Sequence, residues 1–79
     1  MALVRSIKTK TKERQKLHED TTCFASVFTD DRGRRYIQLD TYGSKGRRMP
    51  DKVSQAMQFN KASAGQLKGL IEEVYPDLK

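Results

Sequence analysis

Seventy-nine residues make one domain at most, and a chain this short buries only about 60% of the surface that its unfolded form exposes, so a monomer is marginally stable. Sixteen Lys/Arg against ten Asp/Glu leave a formal net charge of +6, which favours a polyanionic partner, nucleic acid first. One cysteine, Cys23, and one histidine, His18, exclude a disulfide framework and a Cys/His zinc site, and no apolar run approaches the roughly 20 residues that span a membrane.

The first residues, Met-Ala-Leu-Val-Arg-Ser-Ile-Lys, lack the apolar core of a secretory signal. A lone cysteine suits a reducing compartment, so the expected setting is cytoplasmic. With no disulfide or metal to reinforce a small core, pairing of two copies is the simplest source of further stability, and a homodimer is expected.

Residues 1–20 form a basic N-terminal strand or arm. Arg5, Lys8, Lys10, Lys12, Arg14 and Lys16 are balanced there by few acids. From Lys8 to Lys12 lysine alternates with threonine, which as a strand puts the three lysines on one face and Ile7, Thr9 and Thr11 on the other. The other reading is a disordered basic arm. Either version presents charge to solvent.

Residues 21–79 make up the remainder, one sheet and one C-terminal helix. Thr21–Phe28 is rich in β-branched and aromatic residues and reads as a strand. Asp30, Asp31 and Gly33 supply turn chemistry. Tyr36–Tyr42 follows as the partner strand, so 21–42 reads as a β-hairpin with a loop of about four residues. On the second strand Ile37, Leu39 and Thr41 share one face, while Tyr36, Gln38, Asp40 and Tyr42 share the other. Phe24 and Phe28 alternate with Ala25 and Val27, and which pair faces the core stays open.

The stretch 43–52 holds two glycines and Pro50, which break either period, together with Lys45, Arg47, Arg48 and Lys52. Val53–Phe59 then alternates again. Asn60 is a suitable helix N-cap, and Ala64, Leu67, Leu70, Ile71 and Val74 recur at helical spacing as one apolar stripe. Gly65 and Gly69 weaken this helix unless they permit close approach of another element, and Pro76 ends it. The expected fold is α+β: an antiparallel sheet of three or four strands with one C-terminal helix packed on one face.

Catalysis has little to stand on. A nucleophile needs a nearby base, and the only histidine sits in a polar linker. Cys23 reads as a small core hydrophobe. No Gly-rich phosphate loop or metal spacing is present. The expectation is a non-enzymatic binding protein without cofactor or metal.

The binding candidates are Lys8, Lys10, Lys12, Tyr36, Tyr42, Lys45, Arg47, Arg48 and Lys52. Rings beside cations suit single-stranded nucleic acid, because unpaired bases stack on the rings while cations track the phosphates. Arginine adds a planar donor fork matched to phosphate. Against this stand packing of the two tyrosines at a dimer interface and a loop whose cations are merely solvated. Lys61 opposes the helix dipole, a placement that suits a nearby phosphate.

Tyr36-Ile-Gln-Leu-Asp-Thr-Tyr42, the basic Gly/Pro stretch, and Val53–Phe59 leading into Leu67, Leu70 and Ile71 resemble a known family. They are similar, over roughly residues 22–75, to the transcriptional positive-cofactor-four single-stranded-DNA-binding domain of the whirly-like group. The resemblance implies a curved four-stranded antiparallel sheet plus a helix, dimerisation through the helices, and single-stranded DNA binding in transcription, replication or repair. Tyr42, Lys45, Arg47, Arg48 and Lys52 are the residues it carries over. The chain departs from the family's pattern in lacking Trp, in having Asp51 where a Gly or basic residue is expected, and in having Ser54-Gln55 in place of a glycine-rich entry to the last strand. A reading from another class is a protein-binding adaptor or inhibitor that docks its basic face, or an open sheet edge, on an acidic partner.

Overall fold

A computed structural model of the chain describes residues 1–42 and 53–78. The strands are β1 (Ala2–Val4), β2 (Cys23–Thr29), β3 (Arg35–Tyr42) and β4 (Val53–Phe59), and the helix α1 (Lys61–Val74) follows. They form one four-stranded sheet in the order β1-β4-β3-β2 with a single helix against it, an α+β fold.

The sheet is mixed rather than wholly antiparallel. β2 pairs with β3 and β3 with β4 antiparallel, while β1 adds beside β4 in parallel. The N-terminal strand is also not where the Lys/Thr alternation placed it. It occupies Ala2–Val4, and residues 5–22, with Lys8, Lys10 and Lys12, have no regular structure. The reason is burial: Leu3 and Val4 have apolar surface to place against β4, whereas alternating lysine and threonine offer no apolar face. β1 and β2 run in the same direction at opposite edges, so residues 5–22 must return the chain across the sheet. The Ile7 amide donates to Gln66 Oε1 on α1 at 2.7 Å and ties the start of this segment to the helix.

The β2–β3 connection is a hairpin loop organised by Asp30. Its Oδ1 accepts from the amides of Arg32 and Arg34, each at 2.9 Å, and its Oδ2 accepts from Arg34 Nε at 2.9 Å. Gly33 adopts φ +79°, the left-handed conformation that glycine takes without a Cβ clash. Its amide donates to the Asp30 carbonyl at 3.1 Å.

Register settles the faces. Val27, Ile37 and Phe59 align across three strands, as do Ala25, Leu39 and Met57. This is the helix side, and it answers the open question about β2: Ala25 and Val27 face the helix, so Phe24 and Phe28 face away. Phe59 is the one buried hydrophobic residue among the described residues, at 6% exposure. Asn60 caps the helix as expected, its side chain accepting from the Ser63 amide at 2.9 Å while Ser63 Oγ accepts from the Asn60 amide at 3.0 Å. This reciprocal capping box buries Ser63 completely.

The helix covers the sheet only in part. Ala64, Leu67 and Leu70 are half-buried, but Ile71 and Val74, which the periodicity assigned to the same stripe, are 38% and 65% exposed. Cys23, expected in the core, is exposed at the start of the edge strand β2. Gly65 and Gly69 do not serve close packing within the chain, since a Cβ at either would meet nothing within 4 Å.

Candidate nucleic-acid interface

The face of the sheet turned away from the helix carries Phe24, Ser26 and Phe28 from β2, Tyr36, Gln38, Asp40 and Tyr42 from β3, and Ala56 and Gln58 from β4, as the register requires. Two aromatic pairs stand on it. Phe28 and Tyr36 are direct cross-strand partners and stack, with centroids 5.3 Å apart and planes at 20°. Phe24 and Tyr42 meet edge to face, with centroids 5.4 Å apart and planes at 78°. Both geometries suit aromatic quadrupoles. Tyr36 and Tyr42 lie six residues apart on one strand, so the pairs are separated by about 20 Å.

The two pairs are fixed at opposite ends of the hairpin. The Tyr36 hydroxyl donates to Asp30 Oδ2 at 3.1 Å. At the other end the Tyr42 amide donates to the Thr22 carbonyl at 3.2 Å, and the Tyr42 carbonyl accepts from Thr21 Oγ1. Between the pairs runs a polar strip in which Gln58 Nε2 donates to Gln38 Oε1 and Gln38 Nε2 donates to Asp40 Oδ1, both at 2.9 Å.

A cation cluster lies at the turn end of the sheet. Arg5, Arg34, Arg35 and Lys61, with Tyr36 and Asn60, line a cavity of about 360 Å³. Arg34 is paired with Asp30 at 2.9 Å, whereas Arg5, Arg35 and Lys61 have no ion-pair partner among the described residues. Lys61 opens a helix whose first turn holds no acid, so its charge adds to the positive end of the helix dipole.

Of the residues singled out from sequence, the structure brings Tyr36 and Tyr42 onto one open face. Lys8, Lys10 and Lys12 are exposed in the irregular segment that follows β1. Lys45, Arg47, Arg48 and Lys52 lie outside the described residues. Sequence reasoning did not select Phe24, Phe28 and Gln58 for the open face, nor Arg5, Arg34 and Arg35 for the cation cluster. Alternation in β2 held the signal for the phenylalanines, but only strand register decides its sign. The cluster assembles from three distant segments, a juxtaposition with no local signal. Among the described residues no group of three or more His, Cys, Asp or Glu is placed to hold a metal ion, and no helix is long and apolar enough to cross a membrane.

Compared with protein-family models, curated proteins and solved structures, the chain has no match.

Proposed function

We propose that this is a non-enzymatic nucleic-acid-binding protein that takes single strands across the open face of its sheet. The observation that supports it is the pair of aromatic platforms, Phe28–Tyr36 and Phe24–Tyr42, standing clear of the helix with Phe24 58% exposed. Unpaired bases stack on such rings for about 1–3 kcal/mol each, while duplex bases have no free face to offer. Phosphates have cations at the turn end of the sheet in Arg5, Arg35 and Lys61. They have further ones in Lys8, Lys10, Lys12, Lys45, Arg47, Arg48 and Lys52 elsewhere in the sequence. The preference for DNA over RNA, and a place in transcription, replication or repair, follow from the family resemblance of the sequence. A cytoplasmic setting fits the exposed free thiol of Cys23.

The protein acts as a homodimer on this reading. Val27 and Met57 on the helix side of the sheet are 70% and 43% exposed, and they share that side with the exposed Ile71 and Val74 of α1. One buried hydrophobic residue among the described residues is a small core. A second copy seated there removes apolar surface from water at roughly 25 cal/mol per Å².

A mobility shift tests the binding. Mixed-sequence single-stranded DNA is expected to be retained in preference to duplex DNA and RNA, and affinity to fall steeply between about 50 and about 300 mM salt as counterions compete for the phosphates. Affinity that does not change with salt overturns the reading.

A second reading draws on β2. This strand lies at the sheet edge, is exposed throughout, and carries no Lys or Pro to discourage pairing. An adaptor or inhibitor would add a partner's strand there. A protein that purifies free of nucleic acid, shifts no oligonucleotide and retains one specific protein favours this alternative.

A further inference from the structure

Asp40 sets the hydrogen-bond polarity of the strip between the two aromatic pairs. A carboxylate offers only acceptors, so the Gln38 amide must turn its Nε2 toward Asp40 Oδ1. Gln38 Oε1 then faces the other way and takes a proton from Gln58 Nε2. Gln58 Oε1, the acceptor of the same amide, has no hydrogen-bond partner among the described residues. The chain of three side chains therefore ends in an acceptor on both sides: Asp40 Oδ2, which has no hydrogen-bond partner among the described residues, and Gln58 Oε1. All three residues are half-buried, so their outer atoms remain within reach of a ligand.

The surface beside this strip is concave. A depression of about 260 Å³ is lined by Met1, Ala2, Leu3, Gln38, Ala56 and Gln58; Asp40 stands at its margin, paired across the strands with Ala56, a small side chain. The Asp40 carboxylate in the strip repels phosphate, so a strand crossing the face must carry its backbone along the margins and lay its bases over the strip. Acceptors at both ends favour a base edge that presents an amino group, such as cytosine N4 or adenine N6. Thymine and uracil put a carbonyl oxygen where cytosine has its amino group, setting acceptor against acceptor.

We propose that this strip selects bases bearing an exocyclic amino group, cytosine foremost, over thymine and uracil. Asp40 is the specificity-determining residue, and Gln38 and Gln58 are positioning residues. The inference rests on the single-strand reading above.

The test is fluorescence anisotropy of the full chain with labelled oligodeoxycytidine and oligodeoxyuridine of equal length at one salt concentration. The two bases differ in the group at C4 and in the N3 proton that goes with it. Deoxycytidine is expected to bind about ten-fold tighter, toward the low end of what one base-edge contact discriminates. Asp40→Asn, whose amide can present either a donor or an acceptor, is expected to shrink that ratio towards one by raising affinity for deoxyuridine. Equal affinity of the wild-type chain for both oligomers overturns the base selection while leaving single-strand binding in place. An unchanged ratio in Asp40→Asn overturns the role of Asp40. Binding of neither oligomer overturns the single-strand reading and the selection with it.

Discussion

The Tyr36 hydroxyl donates to Asp30 Oδ2 at 3.1 Å, so one carboxylate holds both the β2–β3 turn and an aromatic platform of the open face. Desolvation, the largest single influence on Asp30, raises its pKa. The amides of Arg34 and Arg32, the Arg34 side chain and the Tyr36 hydroxyl together outweigh it and hold the carboxyl below its ordinary 3.8. A folded-state pKa below the unfolded one makes the ionised form stabilising. That contribution is full above the unfolded value and is lost as pH falls through the folded one. Thermal melts are therefore expected to show a drop on acidification below about pH 4 that Asp30→Asn makes shallower, with lower stability than wild type at pH 7. A variant whose acid limb matches wild type removes Asp30 from this role.

Tyr36 has two separable contributions, its ring and its hydroxyl. Tyr36→Phe keeps the stack on Phe28 and loses the bond to Asp30; Tyr36→Ala loses both. Single-strand affinity is expected to fall by about 1–3 kcal/mol in Tyr36→Ala and in Tyr42→Ala, and by much less in Tyr36→Phe. Equal losses in Tyr36→Phe and Tyr36→Ala, measured by anisotropy at fixed salt, would show that orientation rather than stacking carries the effect.

What was legible in the sequence divides by range of interaction. Asn60, the strand Val53–Phe59 and the Asp30/Gly33 turn are local signals, each with a mechanism contained in a few residues, and the structure follows them. The two faces of β3 were legible too, because a period of two admits one partition. β1 was not. Its three residues form a strand only because β4 presents a free edge on the far side of the sheet, and a parallel neighbour 55 positions away leaves no local trace. Cys23 went the same way: its composition suits a core, but an edge strand that the helix does not reach has no core to offer. The cation cluster of Arg5, Arg35 and Lys61 likewise exists only once three distant segments meet.

The capping box and Phe59 are neighbours that couple the sheet to the helix. Asn60→Ala removes the acceptor for the Ser63 amide and is expected to cost about 1 kcal/mol. Phe59→Ala empties the most buried apolar position and is expected to cost about 3–5 kcal/mol, enough to leave much of a domain this small unfolded. Urea titrations of the two variants measure the difference. A Phe59→Ala loss no larger than that of Asn60→Ala would place the core elsewhere.

The exposed apolar positions on the helix side predict concentration-dependent assembly. Wild-type protein is expected to sediment as a dimer at micromolar concentration, and Ile71→Glu or Val27→Lys to shift it to monomer. Val27 is 70% exposed and Ile71 38%, so the charge costs a monomer little at Val27 and somewhat more at Ile71. A wild-type chain that sediments as a monomer at all concentrations overturns the proposed pairing.

Gly65 and Gly69 separate helix propensity from packing. Ala64, Leu67, Ile71 and Val74 mark one side of α1, and at 100° per residue the two glycines fall on the opposite side. A Cβ at either meets only open space, and neither glycine has the positive φ that would strain alanine. Gly65→Ala and Gly69→Ala are each expected to stabilise the protein by up to about 1 kcal/mol, nearly additively, by reducing the freedom of the unfolded chain and raising helix propensity. Neither is expected to change the oligomeric state, since both sit away from Ile71 and Val74. Thermal melts at a single protein concentration, paired with sedimentation of each variant, read the two effects separately. A glycine-to-alanine variant that loses stability and sediments as a monomer would move the contact between copies to the glycine side of the helix.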